Sequence, residues 1–147
     1  MRNTILIAVI CLAICGCTKN KFSTTPQLKY KSVNTNELSN GHTIQFKLSY
    51  TDAEGDLQDS IYVEKYGINC PESRFKQYYN MPNFPVVKNS EGEILVSYGY
   101  GVSNYPLIQS PQCPGTNDTC YFRFMIQDKA KNKSDTVNSE TIVIIHN

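Results

Sequence analysis

"HTIQFKLSY", residues 42–50, alternates without a break. Ile44, Phe46, Leu48 and Tyr50 fall on one side of an extended chain; Thr43, Gln45, Lys47 and Ser49 fall on the other. Period two with one apolar row is the pattern of a strand in a sheet with one buried face. "CYFRFMIQD", residues 120–128, repeats it, with Phe122, Phe124 and Ile126 inward and Arg123 outward. "EILVSYGY", residues 93–100, places Ile94, Val96, Tyr98 and Tyr100 together. "SIYVEKY" (60–66), "TIVIIH" (141–146) and "QLKYKSV" (27–33) are also rich in β-branched and aromatic residues. Gly, Pro, Asn and Ser cluster between these runs, and helical spacing persists nowhere after the first residues. About seven short strands separated by turns predict an all-β fold, a single antiparallel immunoglobulin-like sandwich.

One stretch resists. Residues 67–92, "GINCPESRFKQYYNMPNFPVVKNSEG", carry three prolines and scattered aromatics and read as a long loop or irregular edge. Long ordered loops are often functional.

The first residues have a different character. "MRNTILIAVICLAICGC" starts with one cation, Arg2, continues as an apolar run from Ile5 to Ile14, and ends in small residues. That is the layout of a secretory signal, and the run is shorter than the roughly 20 residues needed to span a bilayer. Its ending, Ile14-Cys15-Gly16-Cys17, resembles the bacterial lipobox, whose cysteine receives diacylglycerol and becomes the new N-terminus. The resemblance implies a lipoprotein signal peptide over residues 1–16 and a lipidated Cys17. Residues 17–26 form a flexible tether and residues 27–147 the sandwich. Several acyl chains on one cysteine give a stable hold on a membrane. Thr18 stands where an Asp would favour inner-membrane retention, and Lys19 and Lys21 stand where acids would favour export to the surface. The expected location is the outer membrane, on its periplasmic face.

The chain has 14 basic and 13 acidic residues. Removing the leader, which holds Arg2 and no acid, leaves it neutral, without the basic footprint of a nucleic-acid binder. Three cysteines follow the anchor: Cys70, Cys113 and Cys120. An exported compartment permits disulfides, and an odd count leaves one thiol over. Cys113 and Cys120 bracket the turn-rich "PGTND", so a local bridge competes with Cys70 bonded to either one.

"SYTDAEGDLQDS", residues 49–60, is the most chemical stretch of the chain. Asp52, Glu54 and Asp56 alternate directly after the 42–50 strand, with Gly55 to allow a sharp turn, as oxygen ligands in a calcium loop do. An EF-hand is excluded, since Leu57 and Val63 stand where its Gly and Glu are required. In an immunoglobulin-like sandwich two of the turns emerge at the same end. That topology brings Asp128 of "MIQDKAKNKSDTV" (125–137) beside the acidic turn. Converging carboxylates repel one another unless a cation intervenes, and Lys129, Lys131 and Lys133 compete with a metal ion for that role.

"TDAEGDL" (51–57) and "MIQDKAKNKSDTV", after a lipobox, resemble the motifs of small lipoproteins of the Bacteroidetes with an immunoglobulin-like or PKD-like domain of unknown function. The resemblance implies location and fold. Through related calcium-binding domains, it also implies a structural calcium on Asp52, Glu54, Asp56 and Asp128; the competing reading is a metal-free polar turn, since Asp and Gly favour turns for conformational reasons of their own. "DSI" (59–61) and "DTV" (135–137) resemble the acceptor pattern for O-glycosylation in that group, at Ser60 and Thr136.

Ten tyrosines and no tryptophan offer contact residues. Tyr78, Tyr79, Tyr98, Tyr100 and Tyr105, in the middle of the chain, are candidates for a binding surface. His42 and His146 lie in no catalytic motif, and no nucleophile elbow, zinc motif or phosphate loop is present. The expectation is a non-enzymatic binding or structural module of the cell envelope, held to the membrane by lipid, with an unknown protein or glycan partner. A calcium-stabilised adhesion or carbohydrate-binding accessory is the alternative, and a hydrolase the third reading.

Overall fold

The computed structural model describes residues 21–146; the proposed leader and Cys17 lie outside them. Among the described residues ten strands form two sheets. The first sheet contains β1 (Gln27–Val33), β3 (His42–Asp52), β6 (Ser90–Tyr100) and β7 (Leu107–Ile108), in that order. The second runs β2 (Glu37–Leu38), β10 (Ile142–Ile144), β8 (Asp118–Gln127), β4 (Ser60–Gly67) and β5 (Phe75–Asn80), with β9 (Val137–Asn138) also on β8. This is an immunoglobulin-like sandwich, with the chain crossing between sheets on either side of β2, after β3, after β5 and before β8. Two pairs, β2 with β10 and β6 with β7, are parallel, each over two residues, so the sheets are mixed rather than wholly antiparallel.

β3 and β8 became long strands because each buries its apolar row against the other sheet. Ile44, Phe46 and Leu48 of β3 meet Phe122, Phe124 and Ile126 of β8, all fully buried. The Phe46 ring centroid lies 4.6 Å from that of Phe122 and 5.2 Å from that of Phe124. Tyr98 extends the cluster, 5.9 Å from Phe122 and 5.6 Å from Phe75.

Residues 67–92 are more regular than their composition suggests. Pro71–Ser73 form a 3-10 turn, and β5 pairs with β4 from Lys65 opposite Phe75 to Ser60 opposite Asn80. Only residues 81–89, which contain Pro82 and Pro85, cross between the sheets without strand structure. Proline lacks the N–H that a ladder needs. In the seven-strand immunoglobulin arrangement the first sheet has a fourth strand beside the one that β6 represents. Here that place holds only two-residue β7 at one end.

The disulfide joins Cys70 to Cys113, with Cα atoms 5.7 Å apart. The local Cys113–Cys120 bridge does not form, because Cys120 follows the alternation of β8 and points into the core beside Phe122. Burial pushes its thiol up to about 12, so it stays protonated and unreactive. Lys65 is the main surprise. It faces inward, in line with Ile61 and Val63, and is paired with buried Asp118 while donating to the Ser73 carbonyl at 2.7 Å.

Phe46 tests the inter-sheet contact. Phe46→Ala is expected to cost about 3–5 kcal/mol in urea unfolding of the full chain; a loss below about 1 kcal/mol would mean that the sheets are held together elsewhere.

Candidate functional site

Two places in the sandwich depart from what its strands alone require. The first is the acidic end. β3 finishes at Asp52, whose Oδ2 accepts the N–H of Gly55 at 2.6 Å and of Asp56 at 3.0 Å. Gly55 has φ +73°, and a Cβ there would lie 2.0 Å from the Val87 carbonyl oxygen, so only glycine fits the turn. β8 finishes one residue before Asp128, which is buried and accepts both the backbone N–H of Asn132 (2.7 Å) and its side-chain amide (2.8 Å). The Lys129 N–H donates to the Asp56 carbonyl at 3.0 Å and ties the two turns together.

In consequence Glu54, Asp56 and Asp128 each place a carboxylate oxygen within 4.8 Å of the others. Asp52 is not in this group; it is the internal cap of its own turn. Burial pushes the Asp52 carboxyl above the usual range, the two N–H donors pull it back, and the Asp56 charge raises it again. Two of the three lysines in the turn after β8 are committed elsewhere. Lys131 pairs with Asp59 at 2.7 Å, holding that carboxyl below its ordinary value, and Lys129 donates to Gln58 at 2.6 Å. Among the described residues no ammonium or guanidinium lies within salt-bridge distance of Glu54, Asp56 or Asp128. One oxygen each of Asp52 and Asp56 is buried without a hydrogen-bond partner.

Hard oxygen donors at this spacing suit calcium, which takes six to eight of them with loose geometry. A second trio, Cys70, Glu72 and Cys113, is no metal site, because its two sulfurs are bonded to each other.

The second place is the open side between β5 and β6. Ile94 and Val96 face inward, as the alternation requires, yet remain only half-buried. They line a cleft of about 400 Å³ together with Ile61, Tyr79, Phe84 and Tyr98. Met81, Pro82 and Phe84 come from the crossing segment, and Leu95 and Pro106 stand at the rim. The Tyr98 hydroxyl is buried, and desolvation raises its pKa far above that of a free phenol.

The five candidate tyrosines do not form one surface. Tyr98 and Tyr100 are core residues, the latter donating to Ser110 at 3.1 Å, because both belong to the inward row of β6. Tyr79 lines the cleft, while Tyr78 lies on the outer face with Tyr62, ring centroids 5.0 Å apart. Tyr105 is exposed in the loop before β7. The outer face also has Tyr66 against Tyr121 at 5.1 Å, with the Arg74 guanidinium 3.9 Å above the Tyr66 ring. Of the acceptor candidates, Ser60 is half-buried and donates to Asp59, and Thr136 is exposed. Sequence reading missed the cleft, although Pro82 and Pro85, following a strand-like aromatic run, were its visible signal.

No protein-family model matches the chain. A comparison with curated proteins finds no match either. Among solved structures, the sporulation control protein Spo0M from Bacillus subtilis is similar at a TM-score of 0.47 and 9% identity. The match covers 84% of this chain and 50% of that one, so the chain spans about half the length of Spo0M. A Niemann-Pick type C2 protein from the Japanese carpenter ant is similar at a TM-score of 0.45 and 8% identity, over 82% of this chain and 95% of that one.

Asp52 gives the test of the acidic turn. Asp52→Ala leaves the Gly55 and Asp56 N–H groups without their acceptor and is expected to cost about 1–3 kcal/mol. Asp52→Asn keeps an acceptor oxygen and should cost less in the same unfolding measurement; equal losses would mean that the carboxylate charge is what the turn requires.

Proposed function

We propose that this chain is a lipid-anchored, non-enzymatic binding module of the bacterial cell envelope, held to the periplasmic face of the outer membrane through Cys17. The observation that carries the binding reading is the open cleft. A sandwich that only supports itself buries its inward row, whereas Ile94 and Val96 are left half-exposed above a space of about 400 Å³. That volume falls within the range of ligand sites, which are concave and mostly apolar with a few polar groups. The acidic trio and the cleft share no residue, so the trio's carboxylates do not line the space where a ligand would sit. The partner is a protein or glycan of the envelope; nothing in the charge balance suits nucleic acid.

The anchor rests on the leader and the Ile14-Cys15-Gly16-Cys17 ending. Cells expressing the full chain and fed an alkyne fatty acid should label it, and Cys17→Ala should abolish the label; labelling that survives the change removes the anchor. For binding, the membrane-bound chain is cross-linked in intact envelopes and its captured component identified. Val96→Asp, which places a charge in the cleft, should lose that component while the domain stays folded.

A calcium-stabilised form of the same module is favoured by one further observation. Three carboxylates within 4.8 Å carry no compensating cation among the described residues. In this reading Glu54, Asp56 and Asp128 hold the ion, and its charge relieves the repulsion between the turns after β3 and β8. Calcium at a hundredfold excess over its Kd should raise the Tm by about 5–10 °C relative to chelator. Asp128→Asn should remove most of that rise. Superimposable curves for the unaltered chain would assign the trio to an ion-free turn.

A further inference from the structure

The two sides of β6 are unequally paired. Along one, all eleven residues pair with β3, from Ser90 opposite Asp52 to Tyr100 opposite His42. Along the other, only Gly99 and Tyr100 are paired, with Leu107 and Ile108. The Gly99 N–H points to this second side, donating to the Pro106 carbonyl at 3.0 Å. Peptide groups in an antiparallel pair alternate in direction. The N–H and C=O of Ser97, Leu95 and Glu93 therefore face the same way as those of Gly99, and no strand of the described residues lies beside them.

The opposite margin of this sheet is protected. β1 has Lys29 and Lys31 and a register break between Tyr30 and Ser32, devices that discourage pairing at an edge. β6 has no lysine, no proline and an unbroken register.

We propose that the free edge of β6 binds an extended peptide, which takes the place of the sheet's missing fourth strand. The peptide has aliphatic side chains at alternate positions, filling the cleft beside Ile94 and Val96. Between them it has basic residues, lying outward beside Glu91 and Glu93. An apolar small molecule in the cleft would cover the row of peptide groups at its mouth without pairing them, at about 1–3 kcal/mol for each group left unsatisfied. A peptide strand meets both demands, with main-chain hydrogen bonds along the edge and alternate side chains in the groove. Charge selects the outward positions. The Glu91 and Glu93 side chains are 55% and 54% exposed, each with one exposed lysine partner, Lys21 and Lys47. Opposed side chains on neighbouring strands stand about 5 Å apart, within reach of a second cation.

This inference deepens the binding reading above and does not depend on the anchor. The probe is the capped peptide acetyl-Lys-Val-Lys-Val-Lys-Val-Lys-amide, added to the isotope-labelled full chain and followed by residue-resolved hydrogen exchange. Exchange at Glu93, Leu95 and Ser97 should slow, while Ile94 and Val96, whose amides already face β3, should not change. Leu95→Pro removes one edge-facing N–H and leaves the β3 ladder intact; it should weaken binding about tenfold. A peptide N-methylated at alternate residues should bind as poorly. No slowing at saturating peptide overturns the proposal, as does slowing that survives both Leu95→Pro and N-methylation. Protection of the same amides that grows with protein concentration alone would assign the edge to a second copy and also overturn it. If the peptide fails while envelope capture succeeds, only the strand partner is removed; if both fail, the binding reading falls with it.

Discussion

Phe46 packs against both Phe122 and Phe124, and that contact lies at the centre of the core between the two sheets. An aromatic ring buried in this way contributes about 3–5 kcal/mol, a large share of the 5–15 kcal/mol by which a domain of this size is stable. It also fixes the geometry around it. Where rings from both sheets interleave, the space between them is filled. Toward β6 the second sheet offers Phe75 and Tyr79 from β5, while the first sheet ends early. The cleft is the space left when one sheet is a strand narrower than the other.

Charge is handled in opposite ways in two parts of the fold. Lys65 and Asp118 are taken out of water together, and the Ser73 carbonyl takes a further ammonium proton. Breaking such a pair strands a buried charge, which is costlier than never having had it. At the acidic end, hydrogen bonds organise the carboxylates one at a time: Asp52 by its own turn, Asp128 by Asn132. Local bonds of this kind shape the backbone without neutralising the charge, so the trio stays electrostatically open even though each turn is well formed.

Much of this was legible in the sequence. Period two identified β3, β6 and β8 and their inward faces, and the sandwich topology was enough to place Asp128 beside Glu54 and Asp56. Other features depended on contacts that sequence does not encode locally. β5 was obscured because its prolines lie just outside it, yet colour the whole stretch. Lys65 reads as a solvent residue until Asp118, 53 positions away, is placed beside it. Asp52 has the same residue type and spacing as its acidic neighbours, and only the direction of the Gly55 and Asp56 N–H groups separates a turn cap from a candidate ligand. Cys70 and Cys113 meet where the 3-10 turn that follows Cys70 lies against the segment before β8, the Gln112 N–H donating to Ser73 Oγ, while the alternation that named the inward residues also removed Cys120 from the pairing.

That bond between Cys70 and Cys113 closes a ring of chain with a sequence separation of 43, and β5, the crossing segment, β6 and β7 all lie inside it. Closing a loop of that length restricts the unfolded chain by about 4 kcal/mol in the entropy model. It has a topological effect as well. A protease that cuts the exposed stretch around Val86 and Val87 yields two pieces that remain one molecule, with both margins of the cleft still tethered to each other. Thiol reductant is then needed before the halves can part, and the open side of the sandwich withstands an injury that would dismantle a ring-free edge.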